Sequence, residues 1–353
     1  MVSLQSSTQL KDIHFIQNLF YGHYRLSIVS AGVELGLFQS LEHEQWTKEQ
    51  INDKYGLDGQ FTGIFLQSLV DLNLLVLEEK LFKNSDLASI YLVPTSSYYQ
   101  GDLLIQALKE EERWNNLAKV LTKKDIPQPV IDESYMNAQE QFALYEQTEI
   151  INRIKRWEGY SSAKSILDVS NPAGIFAFSL CKENSLLQGD VICPVNQFDY
   201  ATKYLKSHSL ESNVTIQNYN LKELLTGNTN KKFDIIILSH SLYQYRKELL
   251  PTYEKVANFV NPGGLLISNH WFCSPGCGEE DQGLSDLNKA VSIGGHPLCH
   301  EERYKTFITD SGFTLLADST VPSLCGDSKF HMAVRNLDQV ESSGEAEESC
   351  CKR

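Results

Sequence analysis

Ile166-Leu167-Asp168-Val169-Ser170-Asn171-Pro172-Ala173-Gly174 is the stretch on which the reading of this chain turns. An apolar run ending in Asp-Val predicts a buried parallel strand, and the turn after it leads into a helix. In a nucleotide-binding turn, glycines let the backbone approach the ligand, and the helix offers it an N-terminus. Ser170 and Pro172 stand here where glycine is expected, and Gly174 alone is kept. The segment predicts the fold and leaves the ligand open.

C-terminal to this stretch, strands alternate with helical segments. Strands are expected at 165–169, 190–193, 214–217, 233–238, 265–269, 314–317 and 330–335, with Asn261-Pro262-Gly263-Gly264 as the turn into the fifth. The last two lie close together around Val321-Pro322-Ser323, which predicts an antiparallel end to a parallel sheet. The fold class is therefore α/β, a doubly wound, mostly parallel, seven-stranded sheet of Rossmann-like type.

On the N-terminal side the pattern is helical. Ile13, Ile16, Leu19, Phe20 and Tyr24 recur at helical spacing, and the helix is expected to run on through 31–38. So apolar a helix should bury against another chain or domain. Thr47 is an N-cap with Gln50 at the capping-box position, 61–72 is a second amphipathic helix, and 74–77 with 81–82 form a hairpin. This order predicts a winged-helix module. Without a basic recognition face it serves dimerisation, not DNA reading. The expected domains are a winged-helix-like dimerisation domain at 1–105, a helical connector at 106–160 broken at Ile126-Pro127-Gln128-Pro129, a Rossmann-like domain at 161–336 and a disordered acidic tail at 337–353.

Composition narrows the partners. With 353 residues, 42% hydrophobic, and a formal net charge of −14, the chain is suited to neither nucleic acid nor anionic membranes. No apolar stretch reaches membrane-spanning length, and Met1-Val2-Ser3-Leu4 does not open a signal peptide. Eight irregularly spaced cysteines predict unpaired thiols in a reducing cytoplasm. Cys350-Cys351 in the tail reads as an incidental pair, and a prenylation signal is discounted because Lys352 and Arg353 do not suit it.

Four segments fall in a familiar order: Val33-Glu34-Leu35-Gly36-Leu37-Phe38, the Asp168 turn, Asn261-Pro262-Gly263-Gly264-Leu265-Leu266-Ile267, and Ser311-Gly312-Phe313. Over residues 12–336 the chain resembles the small-molecule O-methyltransferase family of hydroxyindole, plant phenolic and bacterial polyketide enzymes. The resemblance implies a homodimer formed through the N-terminal domain, a class I domain that binds S-adenosylmethionine, and a small, often aromatic, substrate. It also assigns positions. Asp168, Ser170 and Gly174 would face the methionine part of the cofactor. Cys193 stands where a carboxylate holds the ribose, and Asn220 where an aspartate meets the adenine amine. The family's His-Asp-Trp corresponds to Ser239-His240-Ser241-Leu242-Tyr243-Gln244-Tyr245. The base position thus holds Tyr243, whose reference pKa is about 10, with His240 three residues before it. A supporting glutamate would fall near Pro297-Leu298 and is missing.

Joint replacement of the turn, both cofactor acids and the base argues against ordinary methyl transfer, so S-adenosylmethionine is left open as cofactor. Other reactive side chains follow the fifth strand: His270, Cys273 and Cys277, then His296, Cys299 and His300. Three readings stand: acid–base chemistry by His270 or His296, a zinc site of Cys273, Cys277, Cys299 and a histidine, or loop thiols and hydrogen-bonded histidines. No metal is expected. Functionally the sequence allows a non-methylating cyclase, isomerase or lyase, a working methyltransferase with a non-standard cofactor site, or a non-catalytic dimerisation partner of an active relative.

Overall fold

The computed structural model describes residues 13–109, 114–122, 130–227, 231–273 and 282–337. The expected break at 126–129, Cys277 and the tail cysteines lie outside these residues. The chain divides into two compact units, Met1–Gln147 and Thr148–Arg353.

In the first unit the opening helix, Ile13–Glu34, does not run through 38 as expected. Gly36 takes a left-handed conformation, φ 71°, and a separate short helix, Leu37–Ser40, begins after it. Such a φ strains any residue with a Cβ, so glycine is what allows the break. Phe38 then folds back under the first helix, where a Cβ on Gly32 would stand 2.8 Å from its ring. The Thr47 capping box forms as predicted: Gln50 N–H donates to Thr47 Oγ1, and Thr47 N–H to Gln50 Oε1. Strands β1 (Trp46–Thr47), β2 (Leu75–Glu78) and β3 (Leu81–Asn84) make an antiparallel sheet in the order β1-β3-β2. Leu37, Phe38, Ile51, Leu66 and Leu69 form the centre of its core.

The second unit holds β4 (Ser165–Ser170), β5 (Gln188–Ile192), β6 (Val214–Gln217), β7 (Phe233–Ser239), β8 (Val260–Trp271), β9 (Phe313–Val321) and β10 (Ser328–Arg335). Their order is β6-β5-β4-β7-β8-β10-β9. The first five are parallel, and β10 runs antiparallel to both its neighbours. Ile235, Ile236, Ile237 and Leu238 are at most 1% exposed, as a strand covered on both faces requires. Winding proceeds outward from β4 to β6 and then returns to β7 on the other side. A ligand crevice therefore belongs at the carboxyl ends of β4 and β7. The expected turn at 261–264 is instead an irregularity inside β8, which starts at Val260. Gly263 adopts φ 76° there, and a Cβ on Gly264 would meet the Asn261 carbonyl oxygen at 2.8 Å.

Asp168 joins the central strand to its helix. The carboxylate is fully buried, and its Oδ2 accepts the N–H groups of Phe176 (3.0 Å) and Ala177 (2.8 Å) in the first turn of helix Ile175–Glu183. These are donors that a helix start cannot satisfy internally. Burial pushes this carboxyl up to about 6, against the pull of hydrogen bonds from Ser170, Ala177 and Phe176. Between its unfolded value near 4 and this raised value, the folded chain keeps a proton that the unfolded chain has released. That part of the stability is full below pH 4 and is lost as pH rises through 6. Asp168→Asn should therefore gain roughly 2–3 kcal/mol relative to wild type between about pH 4 and pH 7 in urea melts. A difference that stays constant over this range would show that Asp168 is not the titrating group.

Candidate functional site at the strand ends

The turn after β4 is closed by its own side chains. Ser170 Oγ donates to the Pro172 carbonyl (2.9 Å), and Asn171 N–H to the Ser239 carbonyl (3.0 Å). Gln197 bridges the rest, accepting Ala173 N–H (3.1 Å) and donating to Asn171 Oδ1 (3.1 Å). Gly174 has φ 85°, and a Cβ there would stand 2.6 Å from the Phe178 ring. The glycine thus makes room for a side chain of this chain. Phe178 in turn stacks on Tyr204, with ring centroids 5.0 Å apart.

The two positions on the next strands are similarly engaged. Cys193 is fully buried, its Sγ 3.6 Å from the Pro194 carbonyl, and burial pushes the thiol up to about 12. It stays a neutral thiol, a weak hydrogen-bonding group. Asn220 is the N-cap of helix Leu221–Thr226. Its Oδ1 accepts Glu223 N–H (3.1 Å), and Glu223 Oε2 accepts Asn220 N–H (2.7 Å), a complete capping box. Among the described residues, Asp168 Oδ1 is a buried acceptor without a partner.

Past β7 the residues come together differently. His240 sits in the left-handed region, φ 51°, a strained position for a residue with a side chain, and its N–H donates to the Asn269 carbonyl (2.9 Å). Its Nδ1 lies 2.6 Å from the Tyr243 hydroxyl, which also accepts the Trp271 N–H (3.0 Å). The His240 ring packs against Trp271 at 4.4 Å between centroids. Ser328 Oγ donates to Asn269 Oδ1 (2.9 Å), which turns the Asn269 amide nitrogen toward His240 Nε2 at 3.5 Å. Both His240 and Tyr243 are half-buried, so a small molecule can reach them.

His270 lies behind this pair and is fully buried. Its Nε2 accepts the N–H groups of Leu242 (3.2 Å) and Ser241 (3.3 Å), so the proton belongs on Nδ1, facing Ser268 Oγ (3.2 Å) and Tyr304 (3.4 Å). Burial, with His240 and His331 nearby, holds its pKa well below the usual histidine value. The hydroxyls of Tyr253, Tyr304 and Ser268 bond one another beneath it. His331 is buried against Phe272 and Tyr304, its Nε2 3.4 Å from Glu301, within ion-pair reach but out of line for a hydrogen bond. That neighbour, ahead of the opposing effect of burial, holds the Glu301 carboxyl below its ordinary value.

Ser268, Tyr253, Tyr304 and His331 belong to no motif in the sequence. Polar residues inside apolar strand runs, Ser268 and His270 in β8 and His331 in β10, were the available signal. His296 joins neither cluster: its Nδ1 is 2.8 Å from the Pro297 carbonyl, and it groups with Cys273 and Cys299.

No protein-family model matches the chain. Over 326 residues, 86% of the chain and 92% of the relative, it is 23% identical to N,N-dimethyltransferase OxyT of Streptomyces rimosus. An O-methyltransferase family protein from Burkholderia thailandensis superimposes with a TM-score of 0.72 at 18% identity, covering 96% of this chain and all of that one. Human N-acetylserotonin methyltransferase, in a complex with S-adenosylmethionine, gives a TM-score of 0.70 at 15% identity over the same shares. The chain has the fold of these O-methyltransferase family structures. No described helix is long and apolar enough to cross a membrane.

Two outcomes follow from the geometry. Asn220→Ala should cost about 1 kcal/mol of stability in denaturant melts, whereas Asn220→Asp, an equally good cap, should cost little; equal losses would dismiss the capping role. His270 stays neutral in the folded chain, so its contribution is full above pH 6.5 and is lost as pH falls below that value. Wild-type stability should drop on acidification below 6.5 more steeply than that of His270→Phe, and parallel curves would contradict the assignment.

Proposed function

We propose that this chain is an enzyme on the O-methyltransferase fold that moves protons on a small aromatic or hydrophobic metabolite, giving isomerisation, elimination or cyclisation without methyl transfer. The observation that carries the reading is the engagement of the cofactor positions. S-adenosylmethionine needs an acceptor pair for its ribose and an acceptor for its adenine amine. Buried Cys193 supplies no such pair, Asn220 Oδ1 caps a helix, and the turn donors at Asn171 and Ala173 are bonded internally. Charged hydrogen bonds are worth about twice neutral ones, so these residues do not fit the cofactor.

The reacting pair is Tyr243 with His240. Tyr243 gives its phenol proton to the substrate, and the phenolate left behind accepts from His240 Nδ1–H, 2.6 Å away, the tautomer selected by the Asn269 amide facing Nε2. The Trp271 N–H steadies negative charge on that oxygen throughout. The phenolate then takes a proton from a second substrate position, so the cycle closes without a cofactor. His270 acts as a positioning residue: by accepting from Ser241 and Leu242 it fixes the turn that carries both groups. Strain at His240 accords with a functional placement. The exposed Phe15, Leu19 and Phe20 on the opening helix support a homodimer through the N-terminal unit, and the acidic, thiol-containing composition supports a cytoplasmic location.

A second reading, a working S-adenosylmethionine-dependent methyltransferase, is favoured by the likeness to OxyT along nearly its whole length. Isothermal calorimetry of the full chain with S-adenosylmethionine separates the two. No binding heat and no thermal shift are expected at about 1 mM, where a 10 µM ligand would add about 2.7 kcal/mol of stability. A micromolar Kd overturns the proton-transfer reading. With a substrate found by thermal-shift screening of hydroxylated aromatics, Tyr243→Phe and His240→Gln should each lower kcat by about 100-fold.

A further inference from the structure

We propose that Cys273, His296 and Cys299 form a binding site for a borderline-soft divalent ion, zinc foremost, at the end of β8. Two thiols and one imidazole from two stretches of chain, Cys273 on one and His296 with Cys299 on the other, place their ligand atoms within 4.8 Å of one another. Cys299 Sγ lies 3.6 Å from His296 Nδ1. With Zn–S near 2.3 Å and Zn–N near 2.05 Å, the S···N edge of a tetrahedron is about 3.6 Å and the S···S edge about 3.8 Å. Cys299 and His296 therefore stand at the spacing a single ion requires, with Cys273 within 4.8 Å of both, and His296 Nδ1 exchanges its hydrogen bond to the Pro297 carbonyl for the ion.

Backbone bonds build this arrangement, so it does not depend on chance side-chain rotamers. Phe272 and Leu298 form a parallel bridge. Leu298 N–H donates to the Trp271 carbonyl (3.0 Å), and Cys273 N–H to the Leu298 carbonyl (2.8 Å). This ladder sets Cys273 beside Cys299. Helix Gly283–Ile293 ends in a left-handed Gly294, φ 69°, which returns the chain so that His296 reaches the same place. The donor set selects the ion: thiolate and imidazole favour zinc over magnesium or calcium, which want oxygen ligands. Both cysteines are half-buried and His296 is exposed, so an ion has a path in. On binding, both thiols and the imidazole Nδ1 release their protons to solvent, and the imidazole keeps a proton on Nε2. Among the described residues three protein ligands are at hand, which leaves a fourth place of the kind that water or a substrate oxygen takes in zinc sites that react. The site does not depend on the proton-transfer reading.

The test uses the full chain, purified without an affinity tag and with its thiols reduced. After dialysis against zinc and then zinc-free buffer, mass spectrometry should find about one zinc per chain. Cobalt(II) in its place should give thiolate charge-transfer and tetrahedral ligand-field absorption. Cys299→Ser and His296→Ala should each weaken metal affinity more than the roughly 100-fold typical of losing an outer-shell partner, while Cys350→Ser/Cys351→Ser keeps it. The His296 variant, changed at an exposed position, keeps the test valid if loss of Cys299 harms folding. Less than about 0.1 zinc per chain, unchanged affinity in His296→Ala, metal lost with the tail cysteines alone, or a Cys273–Cys299 disulfide that persists in reductant would each overturn the site.

Discussion

The hydrogen bonds from Phe176 and Ala177 to the buried Asp168 carboxylate are the contact on which the second unit depends. A helix start leaves several N–H groups without partners, and a parallel strand delivers the chain to that point with no room for solvent. In a nucleotide-binding fold, part of that requirement is met by the ligand. In this chain it is met from within. Asp168 takes two donors of the helix, Gln197 takes Ala173, and the Ser239 carbonyl takes Asn171. Once those bonds exist, a ligand must displace them to bind there. Each exchange then returns little, because a buried hydrogen bond is lost for each one made.

Strand alternation explains why neighbouring histidines of one cluster take different parts. Successive residues of β8 point to opposite faces. Ser268 and His270 turn toward Tyr253 and Tyr304, where no water reaches and a charge is disfavoured. Asn269 and Trp271 turn toward His240, which stays half-buried and within reach of small molecules. A fully buried imidazole with both nitrogens engaged stabilises one geometry, and a half-buried one can steady the phenol it is paired with as that phenol passes a proton.

Much of the fold was legible because it rests on local signals. Apolar runs marked the strands, the Asp168 turn marked the centre of the sheet, and Thr47 with Gln50 marked a helix start. Two local signals mislead. Gly36 reads as part of a helical run until its left-handed φ is known, and Asn261-Pro262-Gly263-Gly264 reads as a turn although β8 passes through it. The site was harder because its partners are remote. Tyr253 and Tyr304 lie on different helices yet meet at Ser268, which no spacing in the sequence reveals. Asn220 shows the opposite case: Asn-x-x-Glu before an apolar residue is a capping signature visible in the sequence, and it competes with any ligand role for the same oxygen.

The overhang of β8 connects the chemistry at these strand ends. Pairing with β7 stops at Ser239 opposite Asn269, so the residues that follow lack a strand partner on that side. Their backbone groups still have to be satisfied, since buried polar groups left alone are costly. Trp271 N–H is taken by the Tyr243 hydroxyl, the Trp271 carbonyl by Leu298 N–H, and Cys273 N–H by the Leu298 carbonyl. The first bond orients a phenol beside an imidazole, and the other two set one cysteine beside another. Both candidate centres thus arise from the same constraint, a strand that runs past its neighbour and must find partners for its exposed edge. Lengthening β7 to cover that edge would satisfy the backbone equally well and remove both.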